Sequence, residues 1–222
     1  MDQLNINDTM SIINYGVNIQ NMMSDLSECA FGIIRNIELK DISDLLSEML
    51  EYFKSDVNQN IPFADKERRV DAMSDRLKEQ RIKLLKDCEM FEQLILVNRR
   101  YMDEIIRLVT NAREIVDERK QQQLTADDKM KLSTLEKRIK ELEMSQTVAY
   151  SFEPQVKVVQ ENEAQMAEKI QSALVNALAL WKRQQVATEN KESTEDANAL
   201  IMKGIDELIR MQREGYSLVD KS

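Results

Sequence analysis

The sequence predicts an all-α fold: an elongated antiparallel helical bundle or coiled coil of a few long helices. Three observations predict it. Only four Gly and two Pro occur in 222 residues, so the chain has few places for sharp reversals and its helices are long. Apolar residues recur at alternating spacings of three and four through most of the chain, the repeat of helices that bury one stripe. From Ala64 to Arg119 there is no Gly or Pro at all.

Each element follows in order. Asn7 or Asp8 can cap a first helix. Its apolar positions are Met10, Ile13, Val17, Met22, Leu26, Ala30 and Ile33 or Ile34. Gly16, placed inside it, costs about 1 kcal/mol relative to Ala unless close packing uses it. A second helix opens at Lys40 and Asp41, with Ile42, Leu45, Leu46, Met49 and Phe53 on one face. The polar stretch Asp56–Ile61, followed by Pro62, reads as a linker.

The longest repeat comes next: Val70, Met73, Leu77, Gln80, Leu84, Cys88, Phe91, Ile95, Asn98, Met102, Ile105, Val109, Ala112, Val116. Gln80 and Asn98 are polar in seam slots, where such residues fix register at some cost in stability. Lys120–Leu124 is a polar hinge. Thr125 with Asp128 has the spacing of a helix N-terminal box. The helix that follows, with Met130, Leu132, Leu135, Ile139, Leu142 and Val148 inward, turns back antiparallel across a short connection.

Pro154 lies in a pattern that otherwise continues, which predicts a kink or break near Tyr150–Glu153. A further seam runs Phe152, Val156, Val159, Met166, Ile170, Ala173, Ala177, Leu180, with Glu163 in one apolar slot and Trp181 closing the stripe. Thr188–Glu195 reads as a second linker. A last helix follows on Ala197, Leu200, Ile201, Ile205, Leu208 and Ile209. The expected organisation is an acidic helical segment over 1–61, a long helical coiled-coil core over 62–187, and a C-terminal helix over 188–222 packing on that core.

Charge and composition exclude several functions. The net charge is −9, which argues against nucleic acid as a partner. Residues 66–86 nevertheless hold eight basic side chains against four acidic ones. They read as a solvated face or a match for the acidic N-terminal part, and more sharply as a surface for anionic headgroups. Cys29 and Cys88 are isolated, which suits a reducing compartment. Both fall on apolar stripes and read as buried, inert thiols. Residues 1–9 do not resemble a signal peptide, and no apolar run approaches the ~20 residues of a span. A cytoplasmic protein is expected, with peripheral contact at the inner face of a membrane as the furthest alternative. There is no histidine, no phosphate-binding glycine loop and no nucleophile elbow. Carboxylate pairs such as Glu161 with Glu163 read as solvated surface. No catalytic residue, metal or cofactor is expected, and the protein reads as non-enzymatic.

Lys169–Lys182, KIQSALVNALALWK, resembles the signature of the toxic anion resistance (TelA/KlaA) family. Pro154-Gln155-Val156 and Val158-Val159-Gln160 resemble that family's preceding Pro-Gln and Ile-Gln steps. Leu84-Leu85-Lys86-Asp87, then Asn98 and Tyr101, resemble its Leu-Leu-Lys-Asp, Asn and Tyr pattern. Tyr15-Gly16 through Gln20 to Ser27-Glu28 resembles its first helix, and 197–215 its last. The chain is identified on these residues as a short or divergent member. Residues 56–65 stand where the family carries a longer insertion, and Ala179 where it often carries proline.

The resemblance implies an all-helical cytosolic protein linked to tellurite and other toxic-anion resistance and to bacterial envelope stress, without established catalytic residues. It points to a scaffold with protein partners. The candidate interaction surface is Pro154, Gln155, Gln160, Lys169, Gln171, Trp181 and Lys182, with Asn98 and Tyr101 as weaker candidates. Trp181 reads first as a core anchor and only second as a partner hot spot. A homodimer is compatible with exposed seams. The alternatives are a peripheral membrane or cell-division scaffold, and direct binding of the anion by the Cys29 and Cys88 thiols.

Overall fold

The computed structural model describes residues 4–37, 39–55, 62–189 and 203. Every regular element among them is helical: α1 Thr9–Asn14, α2 Val17–Arg35, α3 Leu39–Ser55, α4 Phe63–Lys120, α5 Ala126–Ser172, a π-helical turn Ala173–Ala177, and α6 Leu178–Glu189. The expected linker at 56–61 and, apart from Lys203, the last helix at 197–209 lie outside the described residues, as does most of the expected second linker. The first two residues of that linker, Thr188 and Glu189, belong to α6.

The chain divides into two compact units. Unit 1 comprises Met1–Asn36 and Glu89–Gln160; unit 2 comprises Ile37–Cys88 and Glu161–Ser222. Helices α4 and α5 each contribute one part to either unit.

In unit 1, Asp8 caps α1 by accepting a hydrogen bond from the Met10 N–H at 3.0 Å. The expected single N-terminal helix is instead two. Gly16 adopts φ +74° and separates α1 from α2. A Cβ there would stand 2.8 Å from Leu142 Cδ2, so both the left-handed backbone and the close approach require glycine. The break changes the helical phase. Ile12, Tyr15, Ile19, Met23, Leu26 and Ala30 are buried, whereas Met10, Ile13 and Met22, expected inward, are exposed.

The α4–α5 hairpin closes through Thr125 and Asp128. The Asp128 carboxylate accepts from the Thr125 N–H (3.0 Å) and hydroxyl (2.6 Å), while the Asp128 N–H lies 3.2 Å from Thr125 Oγ. Lys120–Glu136 (2.8 Å), Arg113–Glu143 (2.5 Å) and Arg99–Glu153 (2.5 Å) then pair the two helices antiparallel. Leu132, Leu135, Ile139 and Leu142 pack inward with Ile105, Leu108, Ala112 and Val116. Met130 and Val148, expected inward, are exposed, and Ala149, next to Val148, is buried instead.

Helix α5 runs unbroken through Pro154, contrary to the expected break. Pro154 sits on the exposed face, and Tyr150, whose carbonyl loses its in-helix donor, is also exposed. Water can satisfy that carbonyl, so the proline interrupts one bond without ending the helix.

In unit 2, α3 lays Ile42, Leu46, Met49, Leu50 and Phe53 against Val70, Leu77 and Leu84 of α4 and Ile170 of α5. The π-helical turn adds one residue: the Leu178 N–H bonds back five residues to the Ala173 carbonyl. It therefore advances the stripe by one position, and Trp181 rather than Leu180 becomes fully buried. Its indole stacks on Phe53 at 5.4 Å and Phe63 at 6.1 Å.

Candidate functional site

Unit 1 holds an open cleft of about 330 Å³ between side chains of α2, α4 and α5. It depends on a buried latch. Arg138 donates to the Tyr15 carbonyl (2.6 Å), to Gln20 Oε1 (2.5 Å) and to Glu141 (2.7 Å). Gln20 in turn donates to Ser145 Oγ at 2.6 Å, and the Tyr15 hydroxyl donates to the Leu108 carbonyl at 3.0 Å. These bonds fix the start of α2 against the hairpin, so Tyr15, Gly16 and Gln20 are positioning residues.

Gln20, Ser27 and Phe31 of α2, Asn98 of α4, and Val148 and Gln155 of α5 line the cleft among twelve side chains, none of which carries a formal charge. In a chain with 32% charged residues this is a marked local exclusion of charge. Asn98, the polar seam residue, is buried and donates to the Ala149 carbonyl at 3.0 Å. Phe31 and Val148 stay largely exposed, at 54% and 64%, so apolar surface borders the opening.

The expected interaction residues are divided between the two units. Pro154 and Gln155 are exposed, and only Gln155 of the pair lines the cleft. Gln160 is half-buried, 3.4 Å from Glu92. Tyr101 is half-buried against the unit 1 core. In unit 2, Lys169 is half-buried and burial lowers its pKa. Gln171 is exposed and, two residues further on, points about 160° away from Lys169. Lys182 is exposed, 3.9 Å from Glu67. Trp181 is enclosed, so it is an anchor of the core.

Two features of unit 2 and α2 depart from expectation. Glu163 is not solvated surface: it is fully buried, and its Oε1 has no hydrogen-bond partner. The Cys88 thiol lies 3.7 Å from its other oxygen. Burial first, then repulsion from Asp87, pushes the Glu163 carboxyl up to about 7, and burial also raises Asp87. Its place in an apolar slot was the signal that could have found it. Cys29, expected buried, is exposed, and Cys88 is half-buried. Among the described residues no group of three or more Cys, Asp or Glu is placed to hold a metal ion, and no helix is long and apolar enough to cross a membrane.

The fold and cleft define an all-α protein of long antiparallel helices with a neutral cleft in one unit. The chain belongs to the toxic anion resistance (TelA) family, whose model matches residues 61–190. It is similar to a TelA-like protein of Staphylococcus epidermidis, 26% identical over 216 aligned positions that cover 78% of this chain and 57% of the relative. It is also similar to TelA-like proteins of Staphylococcus aureus, one 25% and another 24% identical, each covering 82% of this chain and 59% of the relative. The chain thus spans less than three fifths of the length of these curated relatives. No solved structure matches it.

Proposed function

We propose that this chain is a non-enzymatic helical interaction protein of bacterial toxic anion and stress resistance, acting in the cytoplasm by docking a protein partner in the unit 1 cleft. One observation carries the reading. Gln20, Ser27, Asn98 and Gln155 come from three separate stretches that bear the family resemblance, and all four line one open cleft. Packing alone asks for apolar residues at such positions; hydroxyl and amide groups around an opening suit recognition.

The membrane alternative draws less support. Several bases of the 66–86 stretch are already matched, with Arg69 at 3.3 Å from Glu48, Lys78 at 2.8 Å from Asp75 and Arg68 at 3.7 Å from Asp65. Thiol-based anion binding retains exposed Cys29 as its candidate, whereas Cys88 sits beside carboxylates that repel an anion.

The test is tellurite resistance in a sensitive host expressing the chain. Ser27→Arg fills the cleft with a charge and is expected to abolish resistance at an unchanged soluble level. Met130→Arg, on exposed surface away from the lining, is expected to leave it intact. Full resistance in folded Ser27→Arg overturns the assignment of the cleft.

A further inference from the structure

Unit 2 holds a polar pair of its own on the seam of α4 and α5. Glu163 of α5 is fully enclosed; its Oε1 has no hydrogen-bond partner, and its Oε2 lies 3.7 Å from the Cys88 sulfur of α4. Both residues belong to the same unit. A buried carboxyl oxygen without a donor costs stability that an apolar residue in the same slot would keep. Packing therefore gives no reason for a carboxyl there, and its free oxygen asks for a donor beside the sulfur.

The carboxyl is suited to one task at that sulfur. An ordinary carboxylate is a poor base for a thiol, because their pKa values lie about four units apart. Burial, then Asp87, brings Glu163 to about 7, close to the ordinary thiol value of ~8.5. Proton exchange between the two is then nearly balanced, and the thiolate is the nucleophilic form. Asp87 and Lys83 of α4 act on the Glu163 carboxyl with opposite sign. The two carboxyls repel an anion that approaches the sulfur. Hydrogen peroxide, small and uncharged, suits a half-buried thiol in that setting.

We propose that Cys88 is a peroxide-reactive thiol, oxidised to a sulfenic acid with Glu163 as its general base. Glu163 takes the thiol proton. The sulfur attacks one peroxide oxygen, and the S–O bond forms as the O–O bond breaks. The departing oxygen takes up the proton held by Glu163 and leaves as water. Sulfur loses two electrons and the peroxide gains them. The sulfenic O–H then stands beside the carboxylate and supplies the donor that Oε1 lacks. Two equivalents of an external thiol return Cys88 to its reduced form through a mixed disulfide. The site uses unit 2 alone and does not depend on the reading of the unit 1 cleft.

The test treats the reduced full chain with hydrogen peroxide at neutral pH in the presence of dimedone, which traps sulfenic acids. Mass spectrometry follows the two cysteine peptides, with exposed Cys29 as the internal reference. In the folded parent Cys88 is expected to be labelled faster than Cys29 despite its lower exposure, and in urea the two are expected to react alike. Glu163→Gln keeps the shape of the side chain but cannot accept the proton. It is expected to slow labelling of Cys88 about a hundredfold, with Cys29 unchanged. Labelling of Cys88 no faster than that of Cys29 in the folded parent, or a Cys88 rate that urea leaves unchanged, overturns the proposal. Slowing by less than about tenfold in folded Glu163→Gln overturns the role of Glu163 as base. If that variant fails to fold, the parent compared with and without urea still decides whether the site is reactive.

Discussion

Glu163 ties folding to pH in the range just below neutrality. Its folded pKa is about 7 against an ordinary 4.5. Between those values the unfolded chain has lost a proton that the folded chain keeps. Stability therefore falls as pH rises from about 4.5 to 7 and levels off above 7. The loss from this group is on the order of 3 kcal/mol. Glu163→Gln cannot ionise, so its urea midpoint is expected to decline less between pH 5 and 8 and to exceed the parent's at pH 8. A parent and variant with parallel pH profiles would show that the carboxyl is ionised in the folded chain.

Gly16 and Arg138 make the second residue-scale case. Gly16→Ala meets both a left-handed backbone and Leu142 at 2.8 Å, and is expected to cost about 1–3 kcal/mol. Chemical denaturation measures it; a loss under half a kilocalorie would mean that Leu142 moves aside freely. Close packing at Gly16 was one of the two readings its place inside a helix allowed; its left-handed backbone and the role of Arg138 were not legible. Glycine spacing in sequence does not reveal φ, and the partners of Tyr15 and Gln20 lie more than ninety residues away at Leu108, Arg138 and Ser145. Glu163 was half-legible: the seam placed it in an apolar slot, but burial depends on what faces it.

At the scale of elements, the seams of α3, α4 and α5 were readable because helical periodicity is a local property of the chain. Val70 to Val116 needs no knowledge of the partner helix to be recognised as one stripe. The π-helical turn was not readable, because it arises where Trp181 must reach Phe53 and Phe63. It makes a specific prediction. Deleting one residue from a long helix ordinarily rotates everything beyond it by about 100°. Deleting exposed Val175 instead removes the extra residue of the π turn and restores α-helical phase. The ΔVal175 chain is expected to keep a buried Trp181, read as a blue-shifted fluorescence maximum, with a melting temperature close to the parent's. Deletion of exposed Gln165, in regular helix, is expected to red-shift the emission and lower the melting temperature. A similar result for both deletions would deny the turn its phase-setting role.

Pro154 belongs to this scale as well. It removes one hydrogen bond from α5 on an exposed face. Pro154→Ala is expected to stabilise the chain by about 1–3 kcal/mol, seen as a rise in melting temperature; an unchanged or lower value would mean that the surrounding packing is adapted to the proline.

At the scale of the whole molecule, each unit has its own apolar core: one centred on Phe53, Leu77, Ile170 and Trp181, the other on Tyr15, Ile105, Leu135 and Leu142. Trp181→Ala creates a cavity worth about 3–5 kcal/mol. The loss of amide-exchange protection is expected within 37–88 and 161–189, with 89–160 retaining its protection. Uniform acceleration over both would show that the cores melt as one.

The shared long helices also order events at the ribosome. Unit 1 has all of its chain once Gln160 has been made. The α3 segment and the first part of α4, by contrast, wait for residues beyond Glu161 to cover Leu46, Met49 and Phe53. From Cys88 to Glu161 is roughly seventy residues, about 4–15 s of synthesis. During that interval the apolar faces of a nascent α3 lack their final cover. The arrangement gives chaperones a defined window on this chain, and puts slow codons between those positions among the changes most able to lower its yield without altering a single amino acid.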